Sequence, residues 1–241
     1  MIVVSKYTED VSWLDTYLPH IPHAVYDRLN PQAPYIVHSN RGHEGSTYLK
    51  YIIDHYETLP ENIVFVHGHR IAWHCRDMVT ILENLHWGKF DYVSLNPAYF
   101  QVLNSTSSDY LAVSKYWPRL FEDTLGQMPP LIKDWCCASF HVKGKRIRRH
   151  PKSFYLRLYE WLQSGEEENY WSSRIMEHVW VLMFASKTPE PDVNLCDIAN
   201  CRNIVGHRAF SFKTVNGELR ELNQLEQKLL YLQRNPHIKD I

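Results

Sequence analysis

The first half of the chain alternates between short apolar runs and amphipathic segments. A short apolar run predicts a strand buried on both faces, as in a parallel sheet, whereas apolar positions three and four residues apart predict a helix. The predicted strands are residues 1–5, 24–26, 35–37, 63–66 and 92–95, and the predicted helices are residues 10–18, 44–58 and 76–85. This alternation indicates crossover connections and a mostly parallel sheet.

The second half is mainly helical in pattern. The predicted elements are helices at 116–125, 151–163 and 172–185, a strand at 138–142, a loop-like stretch at 186–217 and a charged amphipathic helix at 218–234. No repeat or linker divides the chain. We therefore predict a single α/β domain in which residues 1–185 build a central sheet flanked by helices. Residues 186–241 are expected to form a loop and a C-terminal helical extension packed on the same domain.

Composition narrows the class of protein. A chain of 241 residues can bury a large core without a disulfide or a metal, and 13% aromatic residues argue against disorder. The net charge of −1 gives no general attraction to nucleic acid or membranes, so nucleic acid is not an expected partner. The absence of a secretory pattern and of an 18-residue apolar run predicts a cytoplasmic location without a membrane span. Five cysteines, an odd number, suit a reducing compartment, and the neighbouring Cys136 and Cys137 are interpreted as buried packing.

The segment HGHRIAWH carries the densest group of candidate ligands. It follows the predicted strand 63–66, and ligands bind beyond the carboxyl ends of strands in open α/β sheets. His67 and His69 are two residues apart, so in an extended chain both imidazoles point the same way, and His74 could fold back as a third metal ligand. Arg70 is expected to contact the same ligand. The alternative is that these are polar loop histidines bonded to the backbone.

Two further segments could contact a ligand beside these histidines. The turn NRGHEG precedes the predicted helix 44–58, so Asn40 and Gly42 either approach an anion or simply cap the helix, and the pattern alone favours capping. After the first strand come Ser5, Tyr7, Glu9 and Asp10. We expect Glu9 and Asp10 to receive ligand hydroxyls, with Asp10 as a helix N-cap being the alternative.

A run of six cations occupies residues 143–152. We expect Arg146 and Arg148 to neutralise phosphate charge, because a guanidinium can donate to two oxygens at once. The alternative is a solvated strand edge, which cations protect from aggregation.

One acidic residue stands out inside an apolar helix. Glu177 and His178 lie in the segment RIMEHVWVLMF, and a buried carboxylate is costly unless it is paired or used. We predict that Glu177 is a catalytic base, with His178 beside it and Asp134 as a second carboxylate close by.

Six segments in this order resemble the domain-of-unknown-function family 3431. They are VVSKYTEDVSWL, NRGHEGSTYLKYIIDHY, FVHGHRIAWH, CCASF, RRHPKSFYLRLYEWL and EHVWVLMF. The resemblance covers residues 1–185 and implies membership of that family, whose name supplies no activity.

Four motifs also resemble, in their order, nucleotide-sugar glycosyltransferases of the GT-A type. In those enzymes an acidic residue after the first strand receives the nucleotide, and an Asn-x-Gly turn opens a helix. A later strand then ends in Asp-x-Asp, which holds a divalent metal, and a later helix carries an acidic base. The matching segments here are 5–10, 40–42, 67–69 and Glu177. The resemblance implies a GT-A-like fold with His-x-His at the metal motif, which leaves either Mn²⁺, as the expected ion, or no metal.

Three functions stay open at this stage. The leading hypothesis is a glycosyltransferase-like enzyme that moves a sugar from a nucleotide-sugar donor to a hydroxyl acceptor. The second is a hydrolase or oxygenase in which the three histidines and a carboxylate such as Asp77 hold Zn or Fe. The third is a binding domain without catalysis. The leading hypothesis requires His67, His69 and Glu177 to share one cavity.

Overall fold

The structure is a computed structural model. It describes residues 1–37, 39–72, 77–96, 100–186 and 198–200, together with the backbone of two short strands further along the chain. The strands are β1 (Ile2–Lys6), β2 (His23–Asp27), β3 (Tyr35–Ile36), β4 (Asn62–His67), β5 (Tyr92–Ser94), β6 (Phe100–Leu103), β7 (Ile132–Trp135), β8 (Phe140–Lys143), β9 (Ser211–Lys213) and β10 (Leu219–Glu221). The helices are α1 (Trp13–Tyr17), α2 (Glu44–Asp54), α3 (Met78–Asn84), α4 (Ser108–Leu120), α5 (Glu122–Leu125), α6 (Gly144–Ile147), α7 (Lys152–Ser164) and α8 (Asn169–Phe184), and a 3₁₀ turn spans Tyr56–Thr58.

Six of these strands form one central sheet in the order β3-β2-β1-β4-β8-β5. β1 to β4 are mutually parallel, and β8 runs antiparallel to both of its neighbours. The chain therefore steps from β1 outward to β2 on one side and returns to place β4 on the other. This reversal creates a crevice beyond the carboxyl ends of β1 and β4, where open α/β sheets bind ligands.

Helices cover both faces of this sheet. In β1, Val3 belongs to the hydrophobic cluster formed with α2, α4, α7 and α8, whereas Ile2 and Val4 belong to the cluster formed with α1 and α3. The same alternation occurs in β4, because neighbouring side chains of a strand point to opposite faces. The chain is thus a mixed α/β domain with a mostly parallel sheet flanked by helices, as the apolar runs predicted.

Two parts of the second half differ from the sequence-based expectation. β6 and β7 form a separate antiparallel pair that the sequence analysis did not predict. Each is only four residues long and mixes polar with apolar side chains, so neither carries a clear local signal. α4 begins at Ser108, whereas the sequence pattern predicted a start at residue 116. Polar residues in the first turns of α4 weaken its apolar pattern, and the prediction therefore placed the start too late.

The C-terminal extension is described only in part. Ile198 and Ala199 are buried in the core beside α3, and Ala199 forms a bridge with Leu85. β10 pairs antiparallel with β9, so the predicted helix does not begin at residue 218. The rest of that predicted helix lies outside the described residues. Among the helices that the structure describes, none has the length and apolar character needed to cross a bilayer.

Candidate functional site

A cavity of about 320 Å³ borders the carboxyl ends of the parallel strands. Its volume lies at the lower end of the range for small-molecule sites. The residues on its walls include His43, His67, Cys136, Cys137, Arg174 and Glu177. These residues come from the start of α2, the end of β4, the β7–β8 connection and the first half of α8. The imidazole of His67 and the carboxylate of Glu177 therefore line one cavity, as the leading hypothesis requires, whereas His69 is not among the residues that line it.

The backbone of Cys137 links these two side chains. Its carbonyl oxygen lies 2.8 Å from Nε2 of His67, and its N–H donates to Oε1 of Glu177 at 2.8 Å. Cys137 and Ala138 both have positive φ, at 77° and 43°. Such values are uncommon outside glycine and cost free energy unless the surroundings hold them. Local backbone geometry between β7 and β8 thus sets the relation of His67 to Glu177.

Arginine holds the other oxygen of Glu177. Arg174, one turn earlier on α8, donates from Nη1 to Oε2 at 3.0 Å and from Nε to Oδ1 of Asp109 at 3.0 Å. The Glu177 side chain is only 11% exposed, so this ion pair is partly shielded from water. The sequence analysis left open whether this carboxylate is paired or used, and it is paired while standing at the cavity wall.

Behind this wall the buried His178 and Asp134 form a group of charges with the partly exposed Asp109. Nδ1 of His178 is 3.2 Å from Oδ2 of Asp134, and Nε2 is 3.6 Å from Oδ1 of Asp109. Burial acts to lower the pKa of His178, but the carboxylates of Asp109 and Asp134 outweigh it and raise that pKa to about 9. Burial raises the pKa of Asp134 to about 6, although His178 opposes the shift. His178 is therefore a cation at neutral pH.

This burial corrects the catalytic role predicted for two residues. His178 and Asp134 are 0% and 1% exposed, and neither lines the cavity. They cannot touch a ligand there. Because Asp109 contacts both His178 and Arg174, the buried charges instead fix the position of Arg174 and, through it, of Glu177.

The segments after β1 and β4 meet closely beside the cavity. The N–H of Gly68 donates to the carbonyl of Ser5, and a Cβ placed on Gly68 would lie 2.9 Å from Cβ of Glu9. Nε2 of His69 lies 3.4 Å from Oε1 of Glu9. Burial lowers the pKa of His69, with help from His67 and against the attraction of Glu9. Glu9 and His69 thus form one pair at the switch in strand order.

The other predicted ligand contacts after β1 have structural partners. Ser5 is 1% exposed and donates from Oγ to Thr47, so it cannot reach a ligand. Asp10 accepts from the N–H and the hydroxyl of Ser12, which makes it a turn-forming residue rather than a ligand contact. Tyr7 stays exposed at the surface of this segment.

The turn before α2 packs against α7 and α8. The N–H of Gly42 donates to Oδ1 of Asn169 at 2.6 Å, and a Cβ on Gly42 would lie 2.7 Å from the methyl groups of Leu162. Oδ1 of Asn40 accepts from Nη1 of Arg28 at 2.6 Å. The Gly42 N–H is thus engaged within the protein and is not available to an anion. The residue that precedes α2 is His43, whose side chain makes no capping hydrogen bond, so neither Asn40 nor Gly42 caps the helix.

Arg28 lines a second cavity and acts electrostatically on His43 in the first. It lines a second cavity of about 190 Å³ at the carboxyl ends of β2 and β3, and its guanidinium lies 5.1 Å from the ring centre of Tyr7. Burial lowers the pKa of His43, and the charges of Arg28 and His67 act in the same direction. The sequence analysis missed Arg28, although its place just after β2 was a usable signal. It also missed Arg174, whose spacing of three residues from Glu177 predicts an ion pair on one helix face.

Metal ligation by the histidines stays a prediction. His74 lies outside the described residues. Within the described part of the chain, one group of three ligand atoms from His, Cys, Asp or Glu lies close enough to hold an ion. That group is Cys136, Cys137 and Glu177. His67 and His69 therefore have no third described ligand beside them.

Arg70 is engaged in a structural ion pair. Its Nε and Nη2 donate to the two oxygens of Asp77 at 2.9 and 2.7 Å, and its guanidinium lies over the ring of Tyr17. Asp77 also accepts from the N–H of Val79 at the start of α3. The ligand contact predicted for Arg70 is corrected accordingly, and the carboxylate suggested for a metal-dependent hydrolase is already occupied.

Arg146 and Arg148 follow β8 at the end of the strands opposite to the cavity, which contradicts the phosphate-neutralising role predicted for them. Because β8 is antiparallel to β4, Lys143 pairs with Asn62, the first residue of β4, whereas His67 is the last. Five residue steps along a strand separate these ends by roughly 16 Å. The sequence analysis did not predict the direction of β8, so it could not locate these cations.

Comparison with known proteins assigns the chain to a family without assigning an activity. The model of the family described as "Protein of unknown function (DUF3431)" matches residues 1–201. No curated protein matches the chain, and no solved structure matches it.

Proposed function

We propose that this chain, which belongs to the DUF3431 family of proteins of unknown function, transfers a sugar from a nucleotide-sugar donor to a hydroxyl acceptor. One observation carries the proposal. His67 and Glu177, 110 positions apart in the sequence, line the same cavity, and the Glu9–His69 pair lies next to it at the switch in strand order. Residues from three of the four matching segments, namely Glu9, His67 with His69, and Glu177, thus lie near one another at the carboxyl ends of β1 and β4.

The two cavities suit an elongated donor. The smaller one lies at the ends of β2 and β3, the larger one at the end of β4, and Arg28 borders the first while acting electrostatically on His43 in the second. We propose that the nucleoside occupies the smaller cavity and the sugar the larger one. A GT-A-like fold is part of this proposal.

Cationic and imidazole groups along this path favour a diphosphate. Arg28 lines the smaller cavity and Arg174 the larger one, where the imidazoles of His43 and His67 also stand. Donors that are already positioned stabilise the negative charge that develops on a departing phosphate, because no reorganisation is needed during the reaction. Guanidinium groups also pair well with two phosphate oxygens.

Glu177 receives a changed role in this proposal. Both of its carboxylate oxygens already accept hydrogen bonds, from the N–H of Cys137 and from Arg174, which counts against the proton acceptor that the sequence analysis expected. We propose that Glu177 accepts a hydrogen bond from the acceptor hydroxyl and holds Arg174 towards the donor. No resident metal is required, so Mn²⁺ enters the experiment as a variable.

Two other functions have weaker support. A metal-dependent hydrolase or oxygenase would need a carboxylate beside the histidines, and the one suggested, Asp77, is bound to Arg70. A binding domain would use the same cavities without turnover, and it is separated from the transferase by product analysis. A cytoplasmic location remains part of the proposal.

Calorimetric titration with UDP- and GDP-sugars, with and without Mn²⁺, tests donor binding. We expect at least one donor to bind, and we expect Arg28→Gln and His67→Gln each to weaken binding about tenfold, which corresponds to about 1.4 kcal/mol. Arg148→Gln is the matched control, because it alters a cation at the opposite edge of the sheet.

Thermal unfolding of each variant verifies that it is folded. Incubation of the bound donor with hydroxyl acceptors, followed by mass spectrometry, then detects transfer. Failure of all donors to bind, in either metal condition, overturns the proposal. An equal loss of affinity in Arg148→Gln would also do so, because the donor would not then lie where we place it.

A further inference from the structure

Two neighbouring cysteines stand in the wall of the larger cavity. Cys136 is 2% exposed, whereas Cys137 is more accessible, and both line the cavity. Their sulfur atoms are in direct contact, as in a disulfide between adjacent residues. The sequence analysis interpreted this pair as inert packing, but their position gives a dissolved reagent access to Cys137.

We propose that Cys136 and Cys137 form a redox-modification site that reacts with low-molecular-weight disulfides such as glutathione disulfide. The thiolate of Cys137, which faces the cavity, attacks one sulfur of the reagent and releases one glutathione thiolate. The thiol of Cys136 then loses its proton and attacks the mixed disulfide at Cys137, and the second glutathione thiolate leaves. Two protein thiols are oxidised, one glutathione disulfide is reduced to two glutathione molecules, and the protons pass to water or to the leaving thiolates.

The surroundings favour this ring-forming second step over a lasting mixed disulfide. Cys136 is buried directly beside Cys137, so the resolving thiol is always within reach. At Cys137 and Ala138 the backbone has positive φ values, a conformation that an unconstrained chain rarely adopts. A cross-link between the two side chains restricts that backbone and limits its return to common conformations.

The redox state is thereby coupled to the geometry of the cavity. The Cys137 peptide contacts His67 through its carbonyl and Glu177 through its N–H. In the oxidised form both contacts are held, and in the reduced form the peptide opens more easily. This coupling concerns the protein itself and is measured without any donor, so it can fail while the proposed function stands, and the reverse is equally true.

Peptide mapping tests the chemistry on the full chain. Trypsin releases residues 134–143 as DWCCASFHVK, which contains both thiols and no other cysteine. After equilibration with mixtures of glutathione and glutathione disulfide and quenching with iodoacetamide, we expect two populations. One carries two carbamidomethyl groups, and the other is unmodified and lacks two hydrogen atoms, increasing with the proportion of glutathione disulfide.

Three results would overturn the assignment. They are a peptide that stays doubly alkylated in every mixture, a peptide that retains one glutathione, and thiols that alkylate only after a chelator removes a stoichiometric metal. The last would mean that Cys136, Cys137 and Glu177 hold an ion instead.

Hydrogen exchange tests the coupling. We expect the amides of residues 136–140 to exchange about tenfold more slowly in oxidised than in reduced protein. Cys136→Ser retains the backbone of Cys137 but cannot form the cross-link, so its exchange should be equal in both conditions, and Cys136→Ala provides a second variant if the serine is poorly tolerated. Cys201→Ser is the control and should keep the difference. Equal exchange in oxidised and reduced wild type would refute the coupling.

Discussion

Removal of the buried cation His178 is expected to destabilise the fold markedly. Its side chain is fully buried between the carboxylates of Asp109 and Asp134, and Asp109 in turn holds Arg174. His178→Gln keeps a polar side chain of similar length but cannot carry the charge. Asp134 would then be a buried carboxyl group without a cationic partner, and at neutral pH it must either keep an uncompensated charge or take up a proton.

The magnitude follows from the pKa of His178. Its rise from 6.5 to about 9 corresponds to on the order of 3 kcal/mol of preferential stabilisation of the charged ring. Loss of one partner of a buried ion pair costs about 3–5 kcal/mol in general, which agrees with this value. For a domain of this size each kcal/mol changes Tm by about 2–4 °C, so we expect a decrease of about 6–12 °C.

The pH dependence has a definite sign. The pKa of His178 is higher in the folded than in the unfolded chain, so its contribution is fully present below about pH 6.5 and is lost as the pH rises through about 9. The charged groups that act on it are Asp109, Asp134 and Glu177, and Arg174 in turn pairs with Asp109 and Glu177. Wild-type protein should therefore lose stability between these two pH values, and His178→Gln should lack this part of the decline.

Urea denaturation and thermal unfolding across this pH range provide the assay. Asp134→Asn/His178→Gln is the matched double variant, because it removes the anion together with its cation. We expect it to be more stable than the sum of the single changes indicates, by about 1–3 kcal/mol. A loss below about 1 kcal/mol in His178→Gln, together with an unchanged pH dependence, would contradict the reasoning.

Two further substitutions separate packing from ligand binding. Gly42→Ala should lower the free energy of unfolding by about 1–3 kcal/mol more than Gly126→Ala. Both glycines have positive φ, but a Cβ at Gly42 would meet Leu162, whereas a Cβ at Gly126 would have nothing within 4 Å. Equal losses in urea denaturation would contradict the close packing at Gly42. Arg70→Gln should lower the free energy of unfolding by about 1–3 kcal/mol, because Asp77 loses its bidentate partner. The same variant should keep its donor affinity within about twofold of wild type. A tenfold loss of affinity by calorimetry would mean that Arg70 contacts the donor.

Local pattern was sufficient for most of the sheet and for the central pair of the site. The apolar runs around Val3 and Val64 are short and rich in β-branched residues, which favours strands buried on both faces, so the parallel sheet was predicted from them. His67 stood out because it directly follows such a strand, and Glu177 because it interrupts an apolar helix. Both properties can be read within a few residues of the sequence.

Contacts between residues that are distant in the sequence could not be predicted from the local pattern. Arg146 and Arg148 were misplaced because nothing near them records that β8 enters the sheet antiparallel to β4. Gly42 donates its N–H to Asn169 and packs against Leu162, and both of these residues lie more than a hundred positions away in the sequence. Such contacts arise only when several elements pack together.

The amino-acid sequence by itself determined the strands of the central sheet and most of the helices that flank it, since the spacing of apolar side chains reflects the faces that must leave water. It also singled out the histidines after β4 and the acid of α8. Only the tertiary structure decided that His67 and Glu177 face one cavity and are linked by the backbone of Cys137, and that the cations of residues 143–152 lie at the opposite end of the strands. The physical reason is that strand direction and side-chain partners depend on the summed packing of distant elements, whereas periodicity records only local burial.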